Sequence, residues 1–150
     1  MRLRASTADD VDALYGIWQR SVAATHDFVS EEDLAAIASL VRDKYLPAAS
    51  FTLACNDDGR ILAFMGMSGS EIDSLFVDAG ARGSGVGKAL IEFARGRFPD
   101  GLVVEVNEQN GQAVGFYEKM SFRVVGRTPL DHQGRPYPLL KMTWAPRRET

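Results

Sequence analysis

Val11, Leu14, Tyr15, Trp18 and Val22 recur three or four residues apart, which is the spacing of one face of a helix. Thr7 offers an N-cap ahead of them, and Asp9 and Asp10 place acids where a helix dipole favours them. The pattern therefore predicts a helix running to about Ala24. A short strand, Arg2 to Ala5, is expected before it. Ser30, with Asp33 after it, opens a second helix whose apolar positions are Leu34, Ile37, Leu40 and Val41, and Pro47 is expected beyond its end. The period then changes. Phe51 to Cys55 reads as a strand, Asn56 Asp57 Asp58 Gly59 as a turn, Arg60 to Met67 as the return strand of a hairpin, and Ile72 to Val77 as the next strand. Val86, Leu90, Ile91 and Phe93 predict a helix with those residues inward, ending near Phe98 and Pro99. Leu102 to Val106 is expected as a strand, Gln112 to Met120 as a helix, and Phe122 to Gly126 and Leu139 to Trp144 as closing strands. Adjacent strands with helices on a mixed sheet predict an α+β fold of three layers.

The length of 150 residues suits one core, so residues 1–150 are expected to form a single domain. With 45% hydrophobic and 25% charged residues the chain has the balance of a globular protein, and no apolar run approaches membrane length. Met1 Arg2 Leu3 Arg4 is followed by Ser6 and the acidic pair Asp9 and Asp10 instead of an apolar signal region, which makes the cytoplasm the expected location. One cysteine, Cys55, rules out an internal disulfide and reads as a buried small hydrophobe. A net charge of −3 gives no reason to expect nucleic acid as a partner, and the basic residues Lys141, Arg147 and Arg148 are too few to change that. The spacing of His26 and His132 does not suggest metal ligation, so no metal is expected. No Ser, His, Asp nucleophile constellation is identifiable.

The densest chemical signal is Arg82 Gly83 Ser84 Gly85 Val86 Gly87, between an apolar run and an amphipathic helix. Glycine lets the backbone turn with positive φ and approach a ligand closely, while the first helical turn presents unpaired N–H groups, an arrangement suited to phosphate. A P-loop would need its first glycine at Arg82 and Ser or Thr at Ala89, and both fail. A dinucleotide fingerprint counted from Gly83 and Gly85 needs a glycine where Lys88 stands.

The segment instead resembles the acyl-CoA pyrophosphate loop of the GCN5-related N-acetyltransferase (GNAT) superfamily, whose pattern Arg82, Gly85 and Gly87 supply. Leu75 Phe76 Val77 Asp78 resembles the strand end before that loop. Asn110, Ala113, Phe116, Tyr117, Glu118, Lys119 and Phe122 are similar to the superfamily's second signature, with Ser121 where glycine is usual. The tracts Ala24 to Phe28, Val106 to Asn110 and Arg135 to Leu140 resemble the bacterial YjaB-type branch, so the likeness covers nearly the whole chain.

The resemblance implies an acyltransferase that moves the acetyl group of acetyl-CoA directly to a primary amine, on a mostly antiparallel sheet splayed at the acyl-CoA site. The implied donor site comprises Leu75, Phe76 and Val77, the loop Arg82, Gly83, Ser84, Gly85, Val86, Gly87 and Lys88, and Asn110 and Phe116. Lys88 also reads as an ordinary solvent-facing helix residue. Tyr117 is implied as the acid that protonates the leaving thiolate. Glu105 is a candidate base, alternatively a structural hydrogen-bonding group, with Glu71, Asp73 and a water chain as rivals. Desolvation should raise its pKa unless it is paired. His26 and Phe28 are implied on the acceptor side, a small-molecule or peptide amine. Tyr137 and Asp131 could also line that side. A monomer or homodimer is expected, with no membrane partner. A CoA-binding sensor with little turnover is the alternative, and a nucleotide-binding protein a third reading.

Overall fold

The computed structural model describes residues 1–146, so Arg147 and Arg148 lie outside the described residues. Strand β1 (Arg2–Ala5) leads into a 3-10 turn and then helix α1 (Val11–Thr25). The acid Asp10 ties this start together: it accepts the Thr7 N–H at 2.8 Å and both guanidinium nitrogens of Arg4 at 2.9 Å. Helix α2 (Glu31–Leu40) begins where expected, with the Ser30 hydroxyl accepting from the Asp33 N–H at 3.1 Å.

Pro47 lies beyond the end of α2, as expected. The helical path does not stop before it but widens into a π turn, Val41–Tyr45, and continues as a short helix, Leu46–Ala48, with Pro47 in its first turn. A proline is tolerated at a helix start because the N–H it lacks would have had no intrahelical partner there.

The remaining elements are β2 (Phe51–Cys55), β3 (Ile61–Ser68), β4 (Glu71–Val77), α3 (Val86–Arg97), β5 (Leu102–Asn107), α4 (Gly111–Lys119), β6 (Arg123–Thr128) and β7 (Leu139–Trp144). The strands form an open, mixed sheet in the order β1-β2-β3-β4-β5-β7-β6. The β4–β5 pair is parallel and its registered pairs are Glu71–Val103 and Ile72–Val104, whereas β1–β2, β2–β3, β5–β7 and β6–β7 are antiparallel. No described helix is long and apolar enough to cross a membrane.

The chain divides into two units. The first comprises Met1–Gly66 and Ser74–Leu90. Its core sets Leu14, Ile17, Trp18 and Val22 of α1 against Leu53 and Cys55 of β2 and Phe64 of β3. Phe64 meets Phe51 edge-on at 5.3 Å between ring centres, and burying each of these large side chains contributes about 2–3 kcal/mol. Cys55 is buried and free. Gly66 marks a close approach: a Cβ there would fall 2.6 Å from the Tyr45 hydroxyl and 2.9 Å from that of Ser74.

The second unit comprises Met67–Asp73 and the chain from Ile91 onward. Along β5 the side chains alternate, with Leu102, Val104 and Val106 buried and Val103, Glu105 and Asn107 half-buried. In α3, Ile91 and Ala94 are fully buried, as is Leu90 in the first unit, where Val86 is nearly so. Phe93, expected inward, is half-buried and carries the Arg97 guanidinium at 5.7 Å instead.

Candidate active site

In the first unit, β4 ends at Val77 and a 3-10 turn, Ala79–Ala81, leads to the glycine loop. Gly83 and Gly85 have φ of +78° and +87°, and open space surrounds the position of a Cβ at each. Backbone conformation, not crowding, therefore demands glycine at both positions. The first helical hydrogen bond of α3 runs from the Ala89 N–H to the Gly85 carbonyl at 3.0 Å. The amides of Val86, Gly87 and Lys88 thus precede the helical ladder and carry the positive end of the helix dipole. Ser84 is committed locally, since both its N–H and its hydroxyl donate to the Ala81 carbonyl. Lys88 is exposed.

Two neighbouring residues of α1 hold this loop. The Arg20 guanidinium donates to both oxygens of Asp78, at 2.9 and 3.0 Å, and Arg60 adds a third bond at 3.3 Å. Asp78 is 2% exposed, and its hydrogen bonds from Arg20 hold its carboxyl below the usual carboxylate range against the opposing effect of burial. Arg82 donates to the Ser21 carbonyl at 3.3 Å. The same carbonyl accepts the Thr25 hydroxyl proton at 2.8 Å. Because that proton is committed, the 2.7 Å contact between Thr25 Oγ1 and His26 Nδ1 requires Nδ1 to donate, leaving Nε2 as the lone-pair nitrogen. Burial, and then the Arg82 charge, lower the His26 pKa, with Asp27 opposing them, which favours this neutral ring. Phe28 lies against the imidazole at 5.2 Å.

In the second unit the Asn110 side chain caps α4, accepting the Ala113 N–H at 3.2 Å. Tyr117 is 5% exposed, flanked by the rings of Phe116 and Phe122 at 5.2 Å each, and burial pushes its phenol well above the usual tyrosine range. The helix ends in a left-handed turn: Ser121 has φ +70°, and the Phe122 N–H donates to the Tyr117 carbonyl at 2.9 Å. Serine thus adopts the conformation for which glycine is the usual residue.

Glu105 stands on the half-exposed face of β5, opposite Lys141 of β7. It is paired, with His132 Nε2 3.1 Å from its carboxylate. It lines a cleft of about 610 Å³ together with Glu71, Val103, Arg127 and Lys141. Arg127 is engaged by Glu108 at 2.6 Å, and Asp73 accepts the Ser68 hydroxyl at 2.5 Å. Asp131 accepts the N–H groups of Gln133 and Arg135, and Tyr137 is buried. Among the described residues no cluster of three or more His, Cys, Asp or Glu has metal-binding geometry.

The first unit thus gathers Leu75 to Val77, the glycine loop, His26 and Phe28, and the second gathers Glu105, Asn110, Phe116 and Tyr117. The Arg20, Asp78 and Arg60 cluster leaves almost no trace in the sequence pattern. Its one local signal is an aspartate directly after the apolar run of β4.

An open mixed sheet with a glycine turn at a helix start suits a phosphate-bearing ligand, and comparison with known proteins gives the class as acetyltransferase. The Acetyltransferase (GNAT) domain family matches residues 21–143. The chain is 45% identical to the peptidyl-lysine N-acetyltransferase YjaB of Salmonella typhimurium, over 96% of this chain and 98% of the relative. It is also 45% identical to YjaB of Escherichia coli, over 95% of each. The solution structure of apo-form YjaB from Escherichia coli superposes with a TM-score of 0.89 over 95% of both chains. The chain belongs to the GNAT family of acetyltransferases.

Proposed function

We propose that this protein transfers the acetyl group of acetyl-CoA to the side-chain amine of lysine in a peptide or protein. The carrying observation is the glycine loop: two positive-φ glycines and three helix-start amides make a cradle for a pyrophosphate. The 45% identity to proteins named peptidyl-lysine N-acetyltransferases supports lysine as the acceptor.

Acetyl-CoA supplies an activated thioester when bound. The amides of Val86, Gly87 and Lys88 hold its pyrophosphate, and the backbone of Leu75 to Val77 pairs with the amides of its pantetheine arm as an added strand would. The lysine nitrogen forms the new bond to the acetyl carbon, and the carbon–sulfur bond breaks. Tyr117 gives its proton to the departing sulfur. The lysine ammonium loses two protons over the reaction: one leaves through Glu105 and the exposed His132 ring to solvent, and the other restores the proton that Tyr117 gave to sulfur. The net products are acetyl-lysine, CoA thiol and one proton. The cleft along β5, with the apolar Val103 and the carboxylates of Glu71 and Glu105, suits a lysine stem and its ammonium. The family resemblance also implies His26 and Phe28 as acceptor residues.

The test presents the enzyme and acetyl-CoA with three acceptors: a lysine peptide with a blocked N-terminus, a lysine-free peptide with a free N-terminus, and a set of small amines. Mass spectrometry should find acetylation on the lysine peptide in preference. Preference for either other class would overturn the lysine assignment, and failure of all three would overturn acetyl transfer to amines.

A further inference from the structure

The donor cradle described above is made of backbone, and backbone amides bind well only where they are already aimed. Alignment costs ordering entropy, which either the fold supplies in advance or the ligand must supply on binding. The first unit contains a device that supplies it. Asp78 accepts three guanidinium bonds, two from Arg20 and one from Arg60, while its N–H donates to the Leu62 carbonyl at 2.8 Å. From that fixed point the loop is strung on consecutive hydrogen bonds. The Ala81 N–H donates to the Asp78 carbonyl at 2.8 Å, the Ser84 N–H to the Ala81 carbonyl at 3.2 Å, and the Ala89 N–H to the Gly85 carbonyl at 3.0 Å. Arg20 and Ser21 are adjacent on α1, and they grip the two ends of one short segment: Arg20 holds Asp78 by its side chain, and the Ser21 carbonyl holds Arg82.

The exposures show which partner matters most. The Asp78 side chain is 3% exposed, whereas those of Arg20 and Arg60 are 55% and 66% exposed. The buried carboxylate is therefore the fixed anchor, and removing its charge would set an amide's donors against guanidinium donors.

We infer that Asp78 is a positioning residue for the donor, which through Arg20 and Arg60 holds the 79–87 loop ready for a pyrophosphate. The inference rests on the acetyl-CoA reading above. It goes further in assigning donor affinity to a carboxylate that touches no ligand, and it predicts a split between donors that do and do not carry phosphate.

The experiment compares wild type, Asp78→Asn and Arg60→Gln with two donors, acetyl-CoA and S-acetylpantetheine, which has the same thioester arm without the pyrophosphate. If the variant loop is competent about a tenth of the time, the KM for acetyl-CoA rises about tenfold while kcat stays within about twofold. The kcat/KM for S-acetylpantetheine should be unchanged in the same variant. Arg60→Gln, at a largely exposed side chain, should show the same split at about threefold and keeps the test decisive if Asp78→Asn does not fold. Equal losses with both donors, a fall confined to kcat, or no change in the acetyl-CoA KM would overturn the inference. If wild type itself neither binds nor uses acetyl-CoA, the underlying donor assignment fails instead.

Discussion

Replacing Tyr117 by phenylalanine removes one oxygen and leaves the ring between Phe116 and Phe122, both 5.2 Å away, so stability should change by less than about 1 kcal/mol. The chemistry should change far more. An ordinary phenol has a pKa of about 10 against about 8.5 for a thiol, so handing over the proton before the carbon–sulfur bond breaks is uphill by about 2 kcal/mol. Burial pushes the Tyr117 phenol higher still and widens that gap. The transfer is then useful only in step with cleavage, as charge builds on sulfur. Losing such an acid typically costs about 10²–10⁴ in rate, or roughly 3–5 kcal/mol of transition-state stabilisation. Initial rates of thiol release from acetyl-CoA with a lysine peptide should therefore fall by that factor in both kcat and kcat/KM. The acetyl-CoA Kd by calorimetry should be unchanged. The raised pKa adds that wild type should show no alkaline loss of rate from ionisation of this phenol below about pH 10. A Tyr117→Phe enzyme with wild-type kcat, or one whose loss lies entirely in donor Kd, would refute the role.

Glu105→Gln should lower kcat/KM for the lysine peptide by about 10²-fold with donor Kd unchanged, and wild-type values across the pH profile would remove Glu105 from the mechanism. Asp10 is held at about 2 against an ordinary 3.8, chiefly by its hydrogen bonds from Arg4, so its stabilisation is complete above 3.8 and is lost as pH falls towards 2. Thermal melts should weaken across that window in wild type and less steeply in Asp10→Asn; parallel curves would contradict the linkage. Ser121→Gly relieves a left-handed serine and should stabilise by about 1 kcal/mol, raising Tm by roughly 2–4 °C, whereas a lower Tm would show that the turn does not strain serine.

What the sequence made legible is what short-range patterning encodes. The β5 alternation placed Glu105 on the less buried face, the Ser30 and Asp33 spacing marked the start of α2, and the glycine spacing located a loop whose positive φ values explain it. Asn110 could be matched to a signature, and the structure adds its physical role as the cap of α4. What stayed hidden depends on contacts distant in sequence. Arg20 and Asp78 are 58 positions apart and Glu105 and His132 are 27 apart, so no local period records either pairing. Pro47 does lie beyond α2, but the π turn and short helix that carry the helical path past it are invisible to a 3.6-residue period.

Thiol release in the presence of a blocked-N-terminus lysine peptide is the decisive measurement of acetyl transfer. The peptide should accelerate CoA release from acetyl-CoA, with one acetyl-lysine formed for each thiol released. Acetyl-CoA that protects the protein against thermal unfolding, while no amine accelerates thiol release, would contradict it and leave a CoA-binding protein without turnover.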